Sequence, residues 1–161
     1  MKGVIAVCPG SFDPVTRGHM DIIRRAADMF DAVIVAVIRN EMKQPSFTVE
    51  ERMDMIRRAT VHIPNVEVDS FDGLLAEYVR IKHAAVIVKG LRAMSDFEYE
   101  FQMALTNKKL NPQAETVFFT TSAENMYLSS SMVKQIASMN GDIRDFVPEE
   151  IHDEIKLRLR R

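Results

Sequence analysis

The chain has 161 residues, 47% hydrophobic and 27% charged, with Lys+Arg 21 against Asp+Glu 23 and a net charge of −2; this is most simply one domain, 1–161, with a real core, and it excludes the global basic field of most nucleic-acid binders. The single cysteine, Cys8, excludes an internal disulfide framework and a cysteine-built zinc cluster. No apolar run approaches the ~20 residues needed to span a bilayer, and Met1-Lys2-Gly3 carries no signal-peptide pattern, so a cytoplasmic location without membrane or nucleic-acid partners is the expectation.

Apolar strand-like runs alternate with segments of helical period. A first strand over Gly3–Cys8 leads into Pro9-Gly10-Ser11-Phe12-Asp13-Pro14-Val15-Thr16-Arg17-Gly18-His19 and a helix over Arg17–Phe30, with Thr16 as N-cap and Gly10 permitting a turn. A second strand, Ala32–Ile38, precedes the polar loop Arg39–Phe47 and a helix over Val49–Val61, opened by the capping box Thr48–Glu51. Val66–Asp69 and Leu74–Lys82 form a third strand and helix. A fourth strand, Ala85–Lys89, is followed by Gly90-Leu91-Arg92 and a helix over Asp96–Leu110, where Ser95 and Glu98 fit a second capping box. Thr116–Thr120 is the fifth strand, with helices to follow over Ser131–Met139, ended by Gly141, and Glu149–Leu159, started by Pro148. The second and fourth strands are apolar throughout, which suits a parallel sheet covered on both faces. The expected fold is α/β: a Rossmann-like, doubly wound five-stranded parallel sheet with flanking helices.

In such a sheet ligands bind beyond the carboxyl ends of the strands, where the strand order reverses. The first strand is followed there by free backbone N–H groups and a helix N-terminus, a seat for an anion. His19 falls in that helix's first turn. A capping or packing histidine is the bland alternative, but the Thr-x-Gly-His spacing after a strand favours a donor to a phosphoryl group. Lys43 offers a mobile cation near the same edge, although alone it reads as a solvated lysine. Lys89 and Arg92 flank Gly90 at a strand end, a cradle for polyphosphate. Of Ser129, Ser130 and Ser131, at least one caps a helix and the others leave hydroxyl and N–H groups free. Cys8 reads as a buried, inert thiol, and His62, His83 and His152 as structural or exposed.

Five stretches together resemble the bacterial phosphopantetheine adenylyltransferase family of the nucleotidylyltransferase superfamily. They are Pro9–His19, the lysine loop ending Lys43-Gln44-Pro45-Ser46-Phe47-Thr48, Lys89-Gly90-Leu91-Arg92, Asp96-Phe97-Glu98-Tyr99-Glu100, and Ser129-Ser130-Ser131-Met132-Val133-Lys134. The resemblance implies transfer of AMP from ATP to 4′-phosphopantetheine, giving dephospho-coenzyme A and pyrophosphate. It implies Ser11, Lys43, Leu75 and Lys89 around phosphopantetheine. Around ATP it implies Ser11, Phe12, His19, Gly90, Leu91, Arg92, Glu100 and the stretch Asn125, Met126, Tyr127, Leu128, Ser129, Ser130, Ser131. His19, Lys43 and Arg92 would be catalytic, with His19 stabilising the transition state. A homohexamer, Mg²⁺ accompanying ATP with no protein ligand assigned, and coenzyme A as a feedback ligand are further implications. Two positions depart from many members: Lys89 stands for Arg, keeping charge but losing a bidentate fork, and Ser11 stands for Thr.

A phosphate monoester has a second pKa of about 6 and is largely dianionic at neutral pH, so this nucleophile needs no general base. The obstacle is repulsion between two anions and growing charge at the α-phosphorus. His19, Lys43, Arg92 and Mg²⁺ would offset it in a direct displacement without a covalent intermediate. Rival readings are a nucleotidylyltransferase for another phosphorylated acceptor and a non-catalytic ATP-binding regulatory module.

Overall fold

The structure is a computed structural model that describes residues 3–40 and 44–160, apart from the side chains of Met94 and Ser95. Its sheet has five parallel strands in the order β3-β2-β1-β4-β5: β1 (Ile5–Gly10), β2 (Ala32–Ile38), β3 (Val66–Phe71), β4 (Val86–Leu91) and β5 (Glu115–Thr120). The helices are α1 (Arg17–Met29), α2 (Val49–Thr60), α3 (Leu75–Ile81), α4 (Met94–Leu110), α5 (Ser130–Ser138) and α6 (His152–Leu159). This is the expected doubly wound sheet.

Alternation of side chains across the pleat explains the continuous apolar runs. Ala6 and Cys8 of β1, Val33, Val35 and Val37 of β2, and Val88 of β4 face one buried cluster. The amphipathic helix α1 adds Met20, Ile23 and Ala26 to it, and α2 adds Met55, Ile56 and Ala59. Val7, Ile34, Ala36 and Ile87 face the opposite cluster, closed by Tyr78 and Val79 of α3. Each such Val or Ile contributes about 1.5–3 kcal/mol on burial. A charged residue at Val35, fully buried on β2, would therefore break the sheet's packing.

Several boundaries differ from the sequence reading, each for a local reason. β1 runs on to Gly10 because β2 continues to pair with it, Pro9 opposite Ala36 and Gly10 opposite Val37. β4 extends to Leu91, so the chain turns at once and α4 starts at Met94 with Ala93 as N-cap, not at Ser95. Ala93 has no side-chain acceptor to cap the helix. Gly10 does not supply the left-handed residue; Phe12 does, at φ 49°. α5 ends through Asn140, at φ 60°, with Gly141 N–H donating to Ile136 O at 2.9 Å. The last segment opens as a 3-10 turn, Glu149–Ile151, before α6. Among the described residues no helix is long and apolar enough to cross a membrane.

The position of the functional cleft follows from the pairing. β1 pairs with β4 only at Ala6–Val86 and Val7–Ile87, while it stays with β2 to its end. Beyond Val7 the two strands part, at Pro9, which has no N–H to donate. The sheet order reverses at this same pair, the place where ligands enter such sheets.

Candidate active site

A cleft of about 500 Å³ opens where β1 leaves β4. One wall is the β1–α1 loop. A Cβ on Gly10 would lie 3.0 Å from the Phe12 ring, which would then have to shift by a few tenths of an ångström. The ring meets His19 edge-on, with centroids 5.0 Å apart and planes at 71°. Asp13, buried, accepts the N–H groups of Ser46 and Phe47, each at 2.9 Å, and pairs with Lys134.

The start of α1 fixes the chemistry of His19. Thr16 Oγ1 accepts the His19 N–H at 3.3 Å, and the Thr16 N–H donates back to His19 Nδ1 at 3.0 Å. This is a capping box with histidine in the place usually taken by Glu or Gln. Nδ1 accepts a backbone hydrogen bond, so the ring proton sits on Nε2, the donor left for the cleft that His19 lines. Burial, with Arg92 and Lys89 adding repulsion, lowers the His19 pKa from 6.5 to about 4. At neutral pH the residue is an uncharged hydrogen-bond donor.

The facing wall is cationic. Lys89 on β4 pairs with Glu100 at 3.4 Å. Arg92 pairs with Asp96 at 3.4 Å and donates to Leu128 O at 3.0 Å. The N-terminus of α5 closes the end: Ser129 Oγ accepts the Met132 N–H at 3.1 Å, and Ser130 donates to Pro14 O at 2.7 Å, tying the two walls together. Ser131 is exposed and lines the cleft. The free N–H groups and dipole of this helix end favour an anion. Among the described residues no group of three or more His, Cys, Asp or Glu side chains is placed to hold a metal ion.

The cytidylyltransferase-like family model matches residues 7–136. A phosphopantetheine adenylyltransferase of Carboxydothermus hydrogenoformans is 56% identical over 154 residues, 96% of this chain and 94% of its own length. Another, of Caldanaerobacter subterraneus subsp. tengcongensis, is 54% identical over 98% of each chain. The chain belongs to the phosphopantetheine adenylyltransferase family. The fold is shared more widely: a nicotinic acid mononucleotide adenylyltransferase of Plasmodium falciparum, complexed with NaAD, superposes with a TM-score of 0.66 at 14% identity, covering 94% of this chain and 93% of its own.

Of the residues that the resemblance to this family singles out, the cleft gathers Ser11, Phe12, His19, Lys89, Gly90 and Arg92 from the two strand ends. Glu100 lies on α4, and Asn125, Leu128, Ser129, Ser130 and Ser131 lie around the start of α5. Leu91 ends β4, outside the lining, and Met126 and Tyr127 are exposed, Tyr127 with its ring edge-on to Phe146. Leu75 opens α3 and packs against the second core cluster, away from the lining. Lys43 lies outside the described residues. The sequence reading gave no role to Asp13, Lys134 or Arg52. Lys134 was within reach of it, because it follows Ser130 by four residues and so shares its helix face. Asp13 could be read only as a loop acid. Arg52 carried no signal, since its neighbours Glu50 and Glu51 suggest a solvated helix face.

Proposed function

We infer that this cleft transfers the adenylyl group of ATP to the phosphate of 4′-phosphopantetheine, giving dephospho-coenzyme A and pyrophosphate, a step of coenzyme A synthesis. Membership of the family supplies the acceptor. The observation that carries the chemistry is a neutral His19 facing Lys89 and Arg92 across the mouth of a parallel sheet. A phosphate oxygen of phosphopantetheine attacks the α-phosphorus, a new P–O bond forms, and the α-phosphorus–oxygen bond to pyrophosphate breaks. No proton need be removed from a dianionic nucleophile. Charge grows on the oxygens of the α-phosphoryl group, and the His19 Nε2–H and Arg92 stabilise it. Lys89 and Ser11 hold the acceptor phosphate, with Lys43 as its second cation. The N-terminus of α5, with Ser129 to Ser131, holds the β- and γ-phosphates. Mg²⁺ would enter with the ATP substrate and offset the charge of its phosphates.

Pyrophosphate release from ATP tests this reading. It should require 4′-phosphopantetheine and should not occur with glycerol phosphate or nicotinamide mononucleotide as acceptor. Release with another acceptor alone would overturn the assignment, and ATP binding without release under any acceptor would leave a regulatory module.

The family resemblance also implies a homohexamer, feedback by coenzyme A and a cytoplasmic location. Self-association is supported by α4, which exposes Phe97, Phe101 and Leu105 at helical spacing, with the two Phe rings stacked at 5.5 Å. Light scattering on the purified protein decides between one copy and six. Coenzyme A shares the pantetheine group with the acceptor, so it should compete with phosphopantetheine in the same assay; no inhibition removes that idea. Retention in the soluble fraction of lysed cells checks the location.

A further inference from the structure

Arg52 is an unusual residue for an ordinary helix position: only 4% of it is exposed. Its guanidinium gathers carbonyl oxygens from three separate segments. Nη1 donates to Ser11 O at 2.8 Å and to Ile38 O at 3.4 Å. Nε donates to Phe47 O at 3.1 Å and Thr48 O at 3.3 Å. Ile38 is the last residue of β2, and Thr48 is the N-cap of α2. One side chain therefore holds both ends of the segment 39–47 as well as the backbone of Ser11. Asp13 completes the junction from the opposite charge, binding the N–H groups of Ser46 and Phe47.

A plain packing role does not account for this. Burying a guanidinium is costly, and Met or Leu would fill the same space on α2 without that cost. What an aliphatic side chain lacks is the planar fork of donors that joins carbonyls from different segments. A lysine lacks it too.

We propose that Arg52 is a positioning residue for the acceptor half of the reaction: it sets the backbone of Ser11 against the end of β2 and the start of α2. The inference rests on the assignment of Ser11 to phosphopantetheine made above. The donor-side groups Gly90, Arg92 and Ser129 to Ser131 have no hydrogen bond to Arg52, and only Ser11 is shared with ATP, so its loss falls more heavily on the acceptor.

The test is steady-state kinetics on Arg52→Lys and Arg52→Ala against each substrate, with calorimetric ATP titration and a thermal melt. kcat/KM for phosphopantetheine should fall about 10- to 100-fold, the scale of a misplacement near 1 Å, while the ATP dissociation constant changes by much less. Guanidinium chloride, added well below denaturing concentrations, should restore part of the Arg52→Ala rate but none of the Arg52→Lys rate. Equal losses for both substrates, or no loss in folded Arg52→Lys, would overturn the proposal. Should Arg52→Ala fail to fold, Arg52→Lys carries the same comparison. A wild-type protein silent with phosphopantetheine would instead overturn the acceptor assignment and this inference with it.

Discussion

The wall contributed by β1 and β2 is held by buried charge, whereas the wall contributed by β4 and β5 is held by half-exposed ion pairs. On the first, Arg52 and Asp13 are both almost fully buried and satisfied by backbone partners. On the second, Lys89–Glu100 and Arg92–Asp96 stand at 3.4 Å, with side chains 21–39% exposed. Pairs of the second kind contribute only about 0–1 kcal/mol. On the proposed function they would give way when phosphate oxygens, better and more highly charged acceptors, arrive. The helix ends differ in the same sense: α1 and α2 begin with reciprocal capping boxes, and α4 begins at an uncapped alanine. On the proposed function, one wall would be built before substrate arrives, and the other would exchange protein partners for ligand.

The largest effect should come from His19, on the fixed wall and facing the cations of the other. His19→Ala removes the Nε2 donor, and turnover should fall about 10²- to 10³-fold, as for loss of one donor to a developing oxyanion. ATP binding, measured by calorimetry, should change little. Equal losses in turnover and binding would mean that the group acts on the ground state and that the fixed wall has no special role in the chemistry.

Arg92→Met comes next and probes the exchangeable wall. Losing a charge-assisted hydrogen bond to phosphate, worth ~1.5–3 kcal/mol, should raise the ATP dissociation constant about 10- to 100-fold. The melting temperature should scarcely move, because the Asp96 pair that is lost lies near the surface. A large drop in melting temperature would show that Arg92 is structural, through its bond to Leu128 O, and would erase the contrast.

The pH dependence of His19 gives a smaller, graded effect. Its folded-state pKa of about 4 lies below its ordinary value of 6.5. Between those values the unfolded chain binds a proton that the folded chain does not. Stability from this group is therefore complete above about pH 6.5 and is lost as pH falls toward 4. Imidazole C–H shifts in an NMR titration should follow the protonation near pH 4, separately from the acceptor phosphate, which titrates near 6. A midpoint near 6.5 would mean a solvated, chargeable ring and a different catalytic form.

These particular residues also show what the sequence could reveal. β2 was legible to the residue, because a fully covered parallel strand has no polar position to blur its ends. Thr16 and Thr48 were legible as caps, because capping depends on residues three positions away, whereas of Ser129 to Ser131 the sequence says only that at least one caps, and the structure makes it Ser129. Arg52 was not, because its burial is decided by Ser11, forty-one residues distant, and by the path of a loop. The start of α4 was misjudged for a similar reason. The favourable Ser95-x-x-Glu98 pattern lost to the length of β4, which pairs with β5 as far as Leu91–Thr120.

That misjudged end supplies the finest test of the contrast. Ala93 has the extended N-cap conformation, φ −147° and ψ 165°, but no side-chain acceptor. Ala93→Ser supplies one for the first-turn N–H groups and should raise stability by about 1 kcal/mol, read as a rise in melting temperature. If the bare helix end serves the exchangeable wall, the same substitution should raise the KM for ATP slightly, since Asp96 in that first turn would be held more firmly against Arg92. If stability rises and the KM stays where it was, the missing cap is a plain omission, and only the cations of this wall are tuned for the ligand.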